Sequence, residues 1–224
     1  MEIVEKEKRQ MYGSSVTDRC GDLIVNDYPE GTLKGKYEFL DHDVLLIRDF
    51  IPFAKELIET ADRLNLYGAS PLIRGNASQY YDNSMRNNTK CDLRGSLHPD
   101  FARFERLMIH VAHASVKLYM MDNTFITLVR DEGFQILKYD VNQHFKPHID
   151  AIMGRTTPEG NRAVSLVAYL NDDYGGGELC FPRQGLTIKP ETGSVVVFPS
   201  YFTHVHESQD ITQGVKYSVV TWFQ

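Results

Sequence analysis

The sequence predicts a mainly β fold with two flanking helices, the strands concentrated in its C-terminal half. Two observations carry this. Apolar residues recur near every 3.6 positions in two stretches before Asp122, the period of a helix with one buried face. After Asp122 the pattern changes to short β-branched and aromatic runs, broken at close intervals by Gly, Asn, Asp and Pro turns. That is the signature of a sandwich or barrel. At 224 residues, one domain with elaborations is expected, and such a chain buries a core without disulfides.

Residues 1–40 are polar and Gly-containing without a clear period, and are expected to form an arm on the core. Val44-Leu45-Leu46-Ile47 reads as a short buried strand. Pro52 then suits the first turn of a helix carrying Phe53, Leu57, Ile58, Ala61 and Leu64. Residues 68–96 are rich in Gly, Ser, Asn, Arg and Tyr, a loop too long to be an idle connection. A second helix is capped near Pro99-Asp100 and places Phe101, Phe104, Leu107, Met108, Val111, Ala112 and Leu118 on one face. Strands are expected at Phe125–Val129, Phe134–Tyr139, Ala163–Leu170, Leu186–Ile188, Ser194–Phe198 and Lys216–Phe223. Turns at Asn171-Asp172-Asp173, Gly175-Gly176-Gly177, Pro182–Gly185 and Glu191-Thr192-Gly193 separate them. No internal repeat or low-complexity segment is visible.

Composition narrows the function classes. The 12 Tyr, 12 Phe and 1 Trp argue against disorder. No apolar run approaches the roughly 18 residues of a membrane span, so no membrane partner is expected. A net charge of −6 and the lack of a Lys/Arg stripe count against nucleic acid as a partner. The charged start, Met1 to Gln10, does not read as a signal peptide. Cys20, Cys91 and Cys180 are odd in number and far apart, which suits a reducing, cytoplasmic setting.

Chemistry concentrates in three places. On extended backbone, His148 and Asp150 point to one face and can reach one metal. By itself such a pair is common and usually bland. Downstream, His204-Val205-His206 offers a second histidine from either position. Two histidines and one carboxylate with open positions form the ligand set of non-haem Fe(II) oxygenases. Third, Lys216 opens an apolar, β-branched strand. It either faces solvent at an edge or points inward, where burial demands an anionic partner.

These residues resemble the Fe(II)/2-oxoglutarate-dependent dioxygenases, and within them the prolyl 4-hydroxylase-like branch, from about Asp43 to the C-terminus. Tyr139 lies nine residues before His148, as the branch's tyrosine lies before its first metal histidine. Tyr169-Leu170-Asn171, Gly176-Gly177-Glu178, Pro190, Gly193 and Phe198 match further segments. His206 precedes Lys216 by ten residues, the spacing between the family's distal metal histidine and the lysine that binds 2-oxoglutarate. The resemblance therefore selects His206 over His204, leaving His204 to line the pocket or cap the strand end. Asn142 replaces the family's usual glycine, and Leu179 its usual threonine.

The resemblance implies a double-stranded β-helix, the jelly-roll or cupin-like core, over about 123–224, supported by helices over about 52–122 within a single domain spanning 41–224. It implies His148, Asp150 and His206 as Fe(II) ligands and catalytic centre, with Lys216 and Tyr139 as 2-oxoglutarate-binding residues. O2 is the further co-substrate, and ascorbate a candidate stimulant. Hydroxylation of a peptidyl residue, proline first, is the implied reaction, with succinate and CO2 released. The same chemistry on a free amino acid or other small molecule is the alternative, and a non-catalytic cupin-like metal-binding module the alternative of another class. The family's substrate-covering segment points to Arg74, Tyr80, Tyr81 and Arg86 as substrate residues of the long loop. Ala151 to Asn161 is a second rim candidate, and Arg162 follows it as a further substrate residue facing either rim or solvent. Oligomeric state is not legible.

Overall fold

The computed structural model describes residues 19–73, 79–93, 98–151 and 162–224. In chain order the strands before the first helix are β1 (Cys20–Tyr28), β2 (Gly31–Leu40) and β3 (Val44–Arg48), followed by α1 (Ala54–Leu64). Short strands β4 (Gly68–Ala69), β5 (Leu72–Ile73), β6 (Gln79–Tyr80) and β7 (Thr89–Asp92) lead to α2 (Pro99–Asp122). The C-terminal half contains β8 (Gln135–Tyr139), β9 (Phe145–His148), β10 (Val164–Tyr169), β11 (Gly175–Gly176), β12 (Leu179–Phe181), β13 (Leu186–Ile188), β14 (Val195–Pro199), β15 (His206–Ser208), β16 (Ile211–Gln213) and β17 (Lys216–Phe223).

Nine strands form one antiparallel sheet in the order β1-β2-β3-β14-β10-β17-β8-β7-β4. A second sheet runs β13-β12-β15-β9. Side-chain alternation divides the labour of the large sheet. Leu166, Ala168, Val195, Val197 and Val219 face the helices and pack with Leu57, Phe104, Leu107 and Val111. The alternate residues Tyr169, Val196 and Phe198 pack with Leu179, Phe181 and Ile188 of the small sheet. Leu137, Tyr139, Val220 and Trp222 lie on that same side. The large sheet is therefore covered on both faces, and every residue of β17 is buried. This two-sheet architecture is the expected double-stranded β-helix, supported by helices.

The helices follow their sequence signals. The His98 side chain accepts a hydrogen bond from Asp100 N at the start of α2, with Pro99 in the first turn. Asn65, in left-handed conformation at φ 49°, ends α1 by donating its N–H to the Ala61 carbonyl. No described helix is long and apolar enough to cross a membrane.

Three segments differ from the sequence reading. Residues 20–40 carry no clear period, yet they pair as the hairpin β1–β2 on the edge of the large sheet through β3. Leu23, Val25 and Tyr28 are buried, and the register shifts between Val25 and Tyr28, so a bulge breaks the alternation. Phe125–Val129 is not a strand: Phe125 and Val129 are exposed. Its backbone serves the chain end instead, with Val129 N donating to the Gln224 carbonyl. The long 68–96 segment carries short strands, of which β7 pairs with β8 beside the pocket.

Candidate active site

His148 ends β9 and His206 begins β15, and the two stand opposite each other in the antiparallel ladder. Asp150 follows β9 by two residues, with its backbone N–H on the Ser200 carbonyl. One ligand atom from each of these three side chains falls within 4.8 Å of the others. Asp150 Oδ1 is 3.7 Å from His148 Nε2, and Oδ2 is 3.4 Å from His206 Nε2.

Both imidazoles are oriented by the same device. His148 Nδ1 donates to the Lys146 carbonyl at 2.8 Å, and His206 Nδ1 donates to the His204 carbonyl at 3.0 Å. Each Nε2 is thereby left with its lone pair directed into the cluster, as metal coordination needs. Burial, and next the charge of His206, hold His148 down to about 3, so the ring is neutral at physiological pH. Burial alone would raise Asp150, but His206 and His148 outweigh it and hold the carboxyl below the ordinary range. Phe145 stacks on His148 with ring centres 3.4 Å apart and planes 12° from parallel. Phe198 meets His206 edge-on at 4.7 Å. Two imidazoles that present Nε2 to one point and an ionised carboxylate, with the remaining directions open, fit a divalent iron.

The cluster lies in a cavity of about 520 Å³ between the two sheets. Lys216, at the first position of β17, points into it and is 3% exposed. The solvent-edge alternative for this lysine is thereby excluded. Its Nζ donates to the Gly177 carbonyl at 2.6 Å and to Ser208 Oγ at 2.8 Å, both neutral acceptors. Burial, opposed by Glu178, lowers the ammonium to about 7. Tyr139 pairs with Lys216 in the β8–β17 register, and Nζ lies 5.3 Å from the ring centres of Tyr139 and Tyr169. The Tyr169 hydroxyl is buried without a hydrogen-bond partner among the described residues. A buried ammonium served by neutral acceptors, beside an orphaned hydroxyl donor, fits one carboxylate of 2-oxoglutarate. Burial pushes the Tyr139 hydroxyl up to about 12, so it too remains a donor.

Of the remaining sequence candidates, Tyr80, Arg86 and Arg162 line the cavity. Arg162 does not face solvent: it makes a forked ion pair with Glu132, at 2.6 Å for its shortest contact, and lies 3.6 Å over the Trp222 ring. Tyr81 is exposed and does not line the cavity. Arg74 and residues 152–161 lie outside the described residues. His204 turns away from the cluster, donating from Nε2 to the His42 carbonyl at 2.6 Å. Trp222 lines the cavity, whereas Tyr217 faces the helices and donates to Asp62.

Sequence reading missed Tyr169 as a pocket residue and Ser165 as a support. Ser165 lies four positions before Tyr169 on β10, and so on the same face, which faces the site once the sheet is assembled. Asn142, in place of the family's glycine, adopts φ 66°. Asparagine tolerates that left-handed conformation, so the turn between β8 and β9 keeps its shape.

Residues 134–224 match the family model described as the 2OG-Fe(II) oxygenase superfamily. The matched segment begins just before β8, and so spans the three-residue cluster and Lys216. Among curated proteins, the chain is 28% identical over 131 residues to probable prolyl 4-hydroxylase 10 of Arabidopsis thaliana, covering 46% of this chain and 45% of that one. It is 28% identical over 133 residues to prolyl 4-hydroxylase 5 of the same plant, with the same coverage. The chain thus spans less than half the length of these relatives. Its fold is similar to that of a Pseudomonas putida prolyl-4-hydroxylase, with a TM-score of 0.60, 18% identity, and 82% and 93% of the two chains covered. A Trichoplax adhaerens prolyl hydroxylase in complex with a hypoxia inducible factor oxygen degradation domain peptide fragment gives a TM-score of 0.63, at 16% identity and 82% and 84% coverage.

Proposed function

We propose that the chain is an Fe(II)- and 2-oxoglutarate-dependent hydroxylase acting on peptidyl proline. The observation that carries this reading is the convergence of His148, Asp150 and His206 in one cavity with the buried Lys216. Similarity to prolyl 4-hydroxylases supports proline as the target, and the peptide complex of the Trichoplax neighbour supports a peptide substrate.

In this reading His148, Asp150 and His206 hold iron(II). Lys216, Tyr169 and Tyr139 hold the carboxylate of 2-oxoglutarate distant from the metal. The bound iron, 2-oxoglutarate and O2 supply the oxidising chemistry: one oxygen atom enters the substrate C–H bond as hydroxyl, the other enters succinate, and CO2 is released. The chain's own residues position and protect. The Lys146 and His204 carbonyls keep both Nδ1 protons, so neither imidazole can rotate its donor atom away. A carboxylate arriving beside Lys216 adds the close ion pair that its neutral hydrogen-bond acceptors do not supply, which couples co-substrate binding to proton uptake. Leu137, Val220 and Trp222 line the wall with apolar surface that excludes water from the reacting bond. Tyr80, Arg86 and Arg162 border the substrate side of the cavity. Small placement errors there are expected to cost large factors in rate.

The test is anaerobic titration of the metal-free protein with Fe(II), then 2-oxoglutarate, followed by visible absorbance, and then aerobic assay of proline peptides by mass. A charge-transfer band lost in His206→Ala and weakened in Lys216→Ala, with one oxygen added to proline, is the expected result. Iron bound without a band would leave the inert cupin-like reading in its place.

A further inference from the structure

Among the described residues four cations line the cavity, and two of them are neutralised by carboxylates: Arg162 by Glu132 and Lys90 by Asp92. Lys216 is matched by the co-substrate in the reading above. Arg86 is left. Among the described residues, its Nε donates to Asn88 Oδ1 at 2.7 Å, and Nη1 makes only a long contact of 3.4 Å to the Pro71 carbonyl. Burial lowers the guanidinium and outweighs Tyr139 and Asp150, which act on it through space, while its hydrogen-bond partners are neutral. Its Nη1–Nη2 edge is available for a carboxylate, which guanidinium binds in a fork.

Where Arg86 stands decides what it can bind. Its guanidinium lies 4.5 Å over the Phe145 ring, and that ring is also stacked on His148. Two planar groups cannot share one face at such distances, so guanidinium, phenyl and imidazole form a sandwich. Arg86 is thus set off from the metal cluster by the thickness of an aromatic ring. Its segment is firmly held: Arg86 bridges to Phe145, Lys146 N donates to the Met85 carbonyl at 2.8 Å, and His144 N donates to Asn87 Oδ1 at 2.7 Å. A charge so placed and fixed meets a part of the substrate neighbouring the reacting residue, not a group on the metal. The chain's net charge of −6 offers acids no general attraction, so any preference for them would be local.

We propose that Arg86 is an anion-binding subsite that selects peptides with an acidic side chain close to the target proline. This deepens the hydroxylase reading and rests on it. The test uses single-proline peptides identical except for Glu, Gln or Lys at each flanking position in turn. For the wild type, kcat/KM is expected to favour Glu over Gln by about tenfold at one of those positions, with Lys poorest. Arg86→Lys should keep part of that preference, and Arg86→Gln should abolish it while retaining the iron–2-oxoglutarate band. Equal rates at every position in the wild type, or a preference that survives Arg86→Gln, would overturn the subsite. Trp222 is the sole tryptophan and lines the cavity, so its fluorescence reports binding of the same peptides without turnover. An Arg86-dependent Glu ranking in fluorescence without hydroxylation would uphold the subsite and sink the proline reading. No ranking in fluorescence would sink the subsite.

Discussion

Ser165 Oγ donates a 2.6 Å hydrogen bond to Oδ2 of Asp150 and shares a second, of 2.7 Å, with Ser200 Oγ. Both serines are buried. One carboxylate oxygen is therefore committed to the protein, and Oδ1 stays available to a metal. Supporting hydrogen bonds of this kind are worth about 10–100-fold in metal affinity. Ser165→Ala should lose that factor in anaerobic calorimetric titration with Fe(II), with the fold retained by circular dichroism. Unchanged affinity would mean that Asp150 is oriented by its backbone alone.

Lys216 makes stability depend on pH in a defined direction. Its ordinary pKa is 10.5, and burial lowers it to about 7 in the folded chain. Between those values the unfolded state binds the proton and the folded state does not, so stability rises with pH. The slope from this one group is at most about 1.4 kcal/mol per pH unit. Below pH 7 both states hold the proton and this contribution flattens. Saturating 2-oxoglutarate supplies a carboxylate, and should flatten the rise as well. Urea unfolding from pH 6 to 10, with and without the co-substrate, checks both. A rise that persists with the co-substrate bound would exclude Lys216 as its partner.

Gly177 positions that lysine through its carbonyl and has φ +71°. An added Cβ would stand 2.5 Å from Ile211 Cδ1 and 3.2 Å from Lys216 Cδ. Gly177→Ala is expected to cost roughly 1–2 kcal/mol from the left-handed backbone alone. It should also raise the 2-oxoglutarate concentration needed for the charge-transfer band, with iron affinity little changed. Loss of stability with unaltered co-substrate affinity would show that the Lys216 position tolerates the shift.

His204 and His206 separate cleanly. The His204 side chain holds the His42 carbonyl in the turn between β2 and β3, where His42 and Asp43 both have positive φ. Its backbone carbonyl, which any residue supplies, receives the His206 proton. His204→Ala should therefore lower stability by about 1–3 kcal/mol in chemical denaturation and leave turnover largely intact. His206→Ala should abolish metal binding and turnover. The reverse pattern would reassign the ligand.

Much of this molecule was legible beforehand because its signals are local. The 3.6-residue period of α2, the Pro99 start and the Lys216–Phe223 strand depend on neighbours within a few residues. The candidate site was legible through the resemblance, whose spacing selected His206 and Lys216 where the residues alone left His204 and His206 open. Phe125–Val129 misled because its apolar content matches a strand, whereas Phe125 and Val129 are exposed and its backbone meets the chain end only through Val129 N and Gln224 among the described residues. The 20–40 hairpin was hidden by the register shift after Val25, which moves the buried set to the other parity.

The sequence by itself determined the fold class, both helices and the residue types that meet at the cluster, because periodicity and spacing are properties of the chain. Only the tertiary structure decided which way Lys216 points, that Arg162 is spent on Glu132 while Arg86 is not, that Tyr169 lines the cavity and that Ser165 supports Asp150. A strand covered on both faces, as β17 is, shows no alternation to read. A charge's partner, in turn, is set by folding across long stretches of chain, 30 residues for Arg162 and Glu132, which no local pattern records.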